Sequence, residues 1–283
     1  MSYKIIVDSC GELPENLKKD PHFETVSLSM DVDEYHIVDD ETFDQADFLK
    51  KVAASPNCPK SSCPSPKRYV EAFEGEAEHV YAVTLSAELS GSHNSAVLAK
   101  KLYKEEHDDK KIWIFNSRSA SVGETLTAMK IQQCEEEGMP FEKVVKTVEA
   151  YLDSMNTFFV LESLETLRKN GRLTGVKALV ASALNIKPVM GATNEGTIYQ
   201  LGQARGVRKA LMKMIEQIGE KTPDIKNRVL GIAHCNCPER AGLLRGEILE
   251  KCPAVKRVVI VPTGGVSTVY ANDGGIIVAY AAG

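Results

Sequence analysis

The chain has 283 residues, 43% hydrophobic and 26% charged, an ordinary globular composition that excludes collagen-like, disordered and low-complexity architectures. Thirty-four basic residues against 39 acidic ones give a net charge of −5, which disfavours an electrostatic nucleic-acid binder. The first apolar run, Ile5-Ile6-Val7, is too short for a signal-peptide core, and no stretch approaches the roughly 20 apolar residues of a membrane helix. Seven cysteines scattered from Cys10 to Cys252 cannot pair off completely, so free thiols in a reducing cytoplasm are expected. At about 150 residues per domain, the length predicts two domains.

In chain order, Tyr3 to Val7 reads as a strand, and Val26, Leu28, Met30 and Val32 alternate as a second, half-buried one. Thr42 with Gln45 has the spacing of a capping box, opening a helix on Ala46, Leu49 and Val52. Four prolines then stiffen the loop from Ser55 to Pro66, and Ser65-Pro66 suits an N-cap and first helical position ahead of Tyr69, Val70 and Phe73. Val80 to Leu85 is a strand; a polar turn from Ser86 to Ser95 leads into a helix on Ala96, Ala99, Leu102 and Tyr103. A strand at Ile112 to Phe115 and helices at Val122 to Met129 and Val144 to Leu152 complete the first series.

A second series starts at the strand Thr157 to Leu161, with helical periods at Leu164 and Leu167 and again from Val176 to Ala183. Lys187 to Gly202 reads as a two-stranded element turning at Asn194-Glu195-Gly196, followed by a periodic helix from Val207 to Ile218. Strands at Val229–His234, Val258–Val261 and Ile276–Tyr280 follow. Strand–helix–strand spacing of this kind predicts α/β domains with mostly parallel sheets, 1–155 and 156–283.

The hydroxyl cluster Ser90-Gly91-Ser92, with Asn94 and Ser95, stands where a strand gives way to a helix. Free amides and the positive helix end meet there, which suits an anion; helix capping is the plainer role for one of the serines. Ser61 and Ser62 sit in the stiffened loop, where a surface turn is the plainer reading and a pre-ordered hydroxyl the sharper one. Arg168-Lys169-Asn170-Gly171-Arg172 and Arg205-Gly206-Val207-Arg208-Lys209 are locally basic, either solvated helix ends or patches that steer an acidic partner. His234-Cys235-Asn236-Cys237 has no second pair at zinc-site spacing, so no metal site is expected. Phosphate-loop, dinucleotide and nucleophile-elbow motifs do not occur.

Six segments resemble, in order, those of the DegV family of bacterial fatty-acid-binding proteins. Val7-Asp8-Ser9-Cys10-Gly11-Glu12-Leu13-Pro14 is similar to D-S-T-x-D-L-P, Ser61 to Pro66 to T-S-Q-P-S-P, and Leu89 to Ala96 to L-S-G-T-Y-Q-S-A. Leu164 to Leu173 is similar to L-x-x-L-x-x-G-G-R-I, Leu184 to Val189 to L-N-I-K-P-I, and Arg205 to Ala210 to R-T-x-K-K-A.

The resemblance implies two α/β domains with a long acyl chain buried between them and its carboxylate held by Ser61 and the Ser90-Gly91-Ser92 turn. It also implies delivery of the fatty acid to a separate fatty-acid kinase. On that reading the chain is not an enzyme and has no cofactor beyond its lipid ligand, and Arg168, Lys169, Arg172, Arg205 and Arg208 become candidates for docking the kinase. Where the family often has H-T-G-P-G, this chain reads Ala271-Asn272-Asp273-Gly274-Gly275. Either Asn272 takes the histidine's place, or the headgroup is presented differently, or the chain does not serve the kinase. The competing class is a hydrolase or phosphoryl-transfer enzyme using the Ser90–Ser95 turn as an anion hole.

Overall fold

The computed structural model describes residues 2–173, 185–221, 229–252, 255 and 257–281; the helix expected from Val176 to Ala183 lies outside them. Strand β1 (Tyr3–Asp8), helix α1 (Glu15–Lys18) and strand β2 (Phe23–Val26) open the chain, with β1 and β2 parallel. The apolar alternation from Val26 to Val32 does not continue as one strand. Ser9 Oγ accepts the Leu28 amide at 3.0 Å and turns the chain out of the sheet. Strands β3 (Ser29–Val32) and β4 (Tyr35–Val38) then form a hairpin, and after α2 (Gln45–Ala54) strand β5 (Lys60–Ser62) pairs with β3. This three-stranded antiparallel sheet has no counterpart in the sequence reading.

The cap of α2 also differs from expectation. Asp44 accepts the Asp47 amide at 3.0 Å, while the Thr42 hydroxyl donates to Asp40 at 2.6 Å. Gln45 is thereby released to donate to Thr263 and Thr268 far along the chain. Ser65 does cap α3 (Pro66–Phe73), accepting from the Arg68 amide. Strand β6 (His79–Thr84), α4 (Ser92–Glu106), β7 (Lys111–Asn116), α5 (Val122–Glu136) and α6 (Phe141–Asp153) follow. The resulting sheet, β2-β1-β6-β7, is parallel throughout.

The remaining elements are β8 (Asn156–Val160), α7 (Glu165–Lys169), β9 (Ile186–Ala192), β10 (Ile198–Arg205), α8 (Val207–Lys221), β11 (Val229–His234), α9 (Pro238–Lys251), β12 (Arg257–Pro262), α10 (Gly265–Ala271) and β13 (Ile276–Tyr280). They build a six-stranded sheet ordered β10-β9-β8-β13-β11-β12. Here the expectation of mostly parallel pairing is corrected, because only β11 and β12 run together. A tight hairpin joins β9 to β10, and β13 returns antiparallel between β8 and β11.

Burial explains the stacking of these layers. Helices α3 and α4 cover one face of the parallel sheet through Tyr69, Phe73, Ala96 and Ala99. On its other face α5 and α6 bury Ile131, Cys134, Val144 and Val148. The opposite side of α5 places Val122 and Leu126 against Ala233, Val261 and Ala279 of the second sheet. Pressed between two sheets, the first two turns of α5 are buried all round, with Glu124, Thr125 and Thr127 among the buried side chains, which is why α5 shows no clean amphipathic stripe. Helices α8 and α9 close the far face of the second sheet with Met214, Ile218, Leu244 and Ile248.

Helix α5 approaches β11 closely because Gly231 has no side chain; a Cβ there would collide with Val122. Gly231→Ala should therefore lower unfolding free energy by about 1–3 kcal/mol through overpacking, read from urea denaturation. Gly242→Ala on exposed α9, where a Cβ meets nothing within 4 Å, should instead gain about 0.5–1 kcal/mol.

Candidate functional site

The site begins with a buried carboxylate. Asp8 ends β1, fully shielded from solvent, and accepts the Cys10 and Leu85 amides at 3.2 and 3.0 Å and the Ser92 hydroxyl at 2.6 Å. Ser92 spends its only proton on Asp8, so the Tyr69 hydroxyl donates to Ser92 Oγ at 2.7 Å. These bonds fix the end of β1 against the end of β6 and the start of α4. The segment between them, Ser86 to Ser90, is closed by the Ser90 amide donating to the Ser86 carbonyl.

Beside this turn lies a cavity between the two sheets, open to solvent at a mouth. Its closed space is about 100 Å³, and about 820 Å³ when the open solvent at its mouth is included. Leu28, Leu85 and Val266 line it from one side; Phe159, Leu161, Ile198 and Ile277 line it from the other. Leu89 and Tyr270 pack against both apolar clusters and join them. Hydroxyls deep in the cavity are spoken for: Ser119 bonds Thr157 at 2.6 Å, Ser121 donates to Glu12 at 2.7 Å, and Ser267 donates to the Cys10 carbonyl at 3.3 Å. The interior is thus apolar in effect.

One end is different. Ser61, Ser90, Tyr270 and Arg172 all line the cavity there. Ser90 Oγ accepts the Ser92 amide at 3.2 Å, and among the described residues no protein acceptor takes its proton. Ser61 and Tyr270 share one hydrogen bond of 2.8 Å, which leaves one of their two protons to donate elsewhere. Burial pushes the Tyr270 hydroxyl above its ordinary pKa, so it stays a neutral donor. Arg172 donates Nε to the Leu89 carbonyl at 3.1 Å and Nη1 to the Asn170 carbonyl at 2.6 Å, and its guanidinium lies 5.5 Å from the Tyr270 ring centre. Its loop is tied to the proline-stiffened segment by Asn170 donating to the Pro59 carbonyl. Two hydroxyl protons and a guanidinium converging on one end of an apolar cavity form a receptor for an anionic headgroup.

The candidate residues therefore separate. Ser61 and Ser90 face the cavity. Ser62, adjacent on β5, is exposed on the opposite face, as period-two alternation requires. Ser92 points away from the cavity to Asp8 and Tyr69. Gly91 forms the backbone start of α4 against Cys63, and Asn94 is exposed on that helix. Asn272, at a left-handed φ of 56°, caps α10 and donates to the Tyr270 carbonyl, off the cavity wall. Arg172, read from sequence as a docking residue, lines the cavity instead. Arg168 and Lys169 are engaged on the surface by Glu165, whose carboxyl Arg168 pulls down to about 2. Arg205 and Arg208 remain exposed and off the cavity lining. Tyr270 was missed; its signal is confined to one aromatic in a short apolar helix.

More buried acids surround the cavity. Asp39 accepts the Gly265 and Val266 amides at 2.6 and 2.9 Å and the Ser9 hydroxyl at 2.9 Å. Burial, then the neighbouring Asp8, push the pKa of the fully buried Glu124 well up, favouring its neutral acid form, whose proton can be donated to Asp8. Glu12 accepts from Ser121 and from the Gly264 amide at 3.2 Å, while burial pushes its pKa to about 7. Among the described residues no cluster of three or more histidine, cysteine or acidic side chains could hold a metal ion, and no helix is long and apolar enough to cross a membrane.

Fold and site together define an α/β protein with an apolar internal cavity ending in an anion-receptive mouth. Residues 2–282 match a family described as uncharacterised proteins of the DegV family, and the chain belongs to the DegV family. A DegV domain-containing protein of Streptococcus pneumoniae is 35% identical over 99% of both chains. A solved DegV-family protein from Ruminococcus gnavus, refined with vaccenic acid, is 56% identical, with a TM-score of 0.96 over 99% of each chain. The S. pneumoniae Fatty Acid Kinase (Fak) B3 protein, loaded with linoleic acid, is 34% identical, with a TM-score of 0.89 over 99% of each. A DegV-family protein from Eubacterium eligens, loaded with heptadecanoic acid, is 27% identical, with a TM-score of 0.89 over the whole of each.

Ser92→Ala strips Asp8 and Tyr69 of a buried partner and should cost about 1.5–3 kcal/mol in a urea melt, with little direct effect on a ligand in the cavity. A second expectation concerns pH. Folded Glu12 keeps its proton to about 7, whereas the unfolded side chain releases it near 4.5. The folded state binds more protons in that window, so stability should fall as pH rises through it, by roughly 3 kcal/mol from this group. Burial raises Asp8, Asp39 and Glu124 as well, adding slope of the same sign. Glu12→Gln should flatten the dependence; an unchanged slope in urea midpoints would refute this.

Proposed function

We propose that the chain binds one long-chain fatty acid in this cavity and presents its carboxylate to a separate fatty-acid kinase. The observation that carries the reading is the pairing of an apolar interior with the cluster Ser61, Ser90, Tyr270 and Arg172 at one end. Each buried methylene contributes about 0.8 kcal/mol, so a long acyl tail supplies on the order of 10 kcal/mol before ordering costs. The carboxylate is desolvated at the mouth and meets hydroxyl protons and a counter-charge there.

Two relatives support the ligand class, since they hold vaccenic and linoleic acid, and the second is named for a fatty-acid kinase system. The chain is a carrier that supplies no catalytic group. His93, next to the serine turn in sequence, bonds Thr84 Oγ1 at 3.3 Å, which supports a carrier over a hydrolase needing a serine–imidazole pair. Arg168, Lys169, Arg205 and Arg208 offer the kinase a basic surface, while Arg172 holds the headgroup from inside. The working compartment is the cytoplasm, and the two units, 1–155 and 156–283, both contribute side chains to the cavity wall.

Solvent extraction of denatured protein should release one equivalent of long-chain fatty acid by mass spectrometry. An extract empty of lipid, from a protein that also takes up neither oleate nor palmitate, would sink the proposal. Arg172→Gln should weaken fatty-acid binding roughly 10- to 100-fold, the scale of one charge-assisted hydrogen bond, and Ser90→Ala somewhat less. Asn94→Ala, on the outer face of α4, should leave affinity unchanged.

A further inference from the structure

The molecule has a second cleft, which shares no lining residue with the acyl cavity. Its space is about 690 Å³, bordered by α1, strand β2, the 39–45 segment and residues 260–264. Ile260, Val261, Pro262, Thr263 and Gly264 line it in unbroken succession. Side chains alternate between the two faces of a strand, so an unbroken run follows the backbone edge of β12.

That edge is open. Strand β12 ends the six-stranded sheet and pairs only with β11. The Thr263 amide donates to the His234 carbonyl of β11 at 2.9 Å. Backbone groups alternate in direction along a strand, so those of Ile260 and Pro262 turn away from β11. Among the described residues the Ile260 amide and carbonyl and the Pro262 carbonyl have no partner on that side. Pro262 brings no amide hydrogen, so Ile260, 36% exposed, is the donor of this stretch. Strand β2 is an edge of the other sheet and borders the same cleft, but its groups are better occupied. The Phe23 amide donates to the Asp20 carbonyl at 3.0 Å, and the Thr25 carbonyl accepts from Arg68 at 3.4 Å.

Charge decides what the open edge suits. Glu12, Glu15, Asp39, Asp40 and Glu41 line the cleft against one cation, Lys18, which already pairs with Glu15 at 3.1 Å. Glu12 and Asp39 are buried and committed to the start of α10, which leaves Glu15, Asp40 and Glu41 as the rim. Thr42 and Lys18 hold the Asp40 and Glu15 carboxyls below their ordinary range, so both stay charged. Two copies meeting edge to edge would bring these rims together, and the net charge of −5 adds to the repulsion.

We propose that this cleft docks an extended, lysine- or arginine-rich segment of a partner protein, which adds a strand at Ile260 and sets its cations among Glu15, Asp40 and Glu41. Main-chain bonds to Ile260 supply the register, Leu13, Phe23 and Phe43 receive the segment's apolar side chains, and the rim selects its charge. The kinase-facing surface described above is basic, so the two surfaces select partners of opposite sign.

The test is fluorescence anisotropy of a labelled, end-blocked heptapeptide of alternating lysine and valine, titrated with the full chain at low salt. Binding should saturate, and Glu15→Lys combined with Glu41→Lys should weaken it about 10-fold, as should Ile260→Lys; all three side chains are exposed, so these variants fold. Glu105→Lys, exposed on α4 and outside the cleft, changes charge in the same direction and should leave affinity within about twofold. N-methylation of the lysine amides or of the valine amides blocks one edge of the peptide or the other. One of the two methylated peptides, and not both, should bind about 5- to 30-fold more weakly, the scale of one or two hydrogen bonds. No saturable binding, or equal binding of a glutamate–valine heptapeptide, overturns the proposal. Two methylated peptides that behave alike overturn it too, since the site is then a trap for any cation. A concentration-dependent dimer in sedimentation, abolished by Ile260→Lys, gives the edge to a second copy and overturns it as well.

Discussion

The cavity depends on one carboxylate kept out of water. Asp8 closes the central strand of the parallel sheet, where burial alone would make its charge costly. Two backbone amides and the Ser92 hydroxyl offset that cost, and all three come from segments that must be held together for the cavity wall to exist. Through them the ends of β1 and β6 and the first turn of α4 share one anchor. The Ser86–Ser90 turn then has little freedom, which places Leu89 and Ser90 on the cavity wall. Conformational order at the mouth is thus established in the fold itself, before any ligand arrives.

The same economy governs the rest of the lining. Polar side chains deep in the cavity satisfy one another or nearby carbonyls, so a hydrocarbon tail meets no unanswered donor. Donors with a proton to spare gather at the opposite end. Asp39 holds the start of α10 as Asp8 holds that of α4, but by different donors: Asp8 accepts the Ser92 hydroxyl, whereas Asp39 accepts the Gly265 and Val266 amides and so fixes Tyr270 at the mouth. The headgroup site is therefore assembled from the proline-stiffened loop, the serine turn, the segment after α7 and the last helix, four regions far apart in sequence.

Much of this is legible in the sequence and some is not, for identifiable reasons. Apolar runs at Tyr3–Val7, Val80–Leu85 and Thr157–Leu161 mark buried strands because a strand covered on both faces needs no alternation. The break between Val26 and Ser29 is invisible, since the alternation continues across it and only the distant Ser9 hydroxyl turns the chain. Pairing direction in the second sheet is hidden for a similar reason: a buried strand reads the same in either direction. At the site, local pattern locates the Ser61 and Ser90 segments but cannot say which of two neighbouring serines faces inward. That depends on the register of β5 for Ser62 and on the Asp8 contact for Ser92. Arg172 looks like any solvated helix-end cation until the Leu89 carbonyl and the Tyr270 ring are seen to hold it.

Helix α10 follows the three-stranded sheet by about 200 residues, yet it covers that sheet and supplies the amides that Asp39 accepts. During synthesis the early half must wait with that sheet bare and with Asp39 lacking two of its three donors. Units that complete themselves one after another as they emerge have no such gap. The apolar face of residues 29–62 therefore stays uncovered in the growing chain until residues 265–271 have been made.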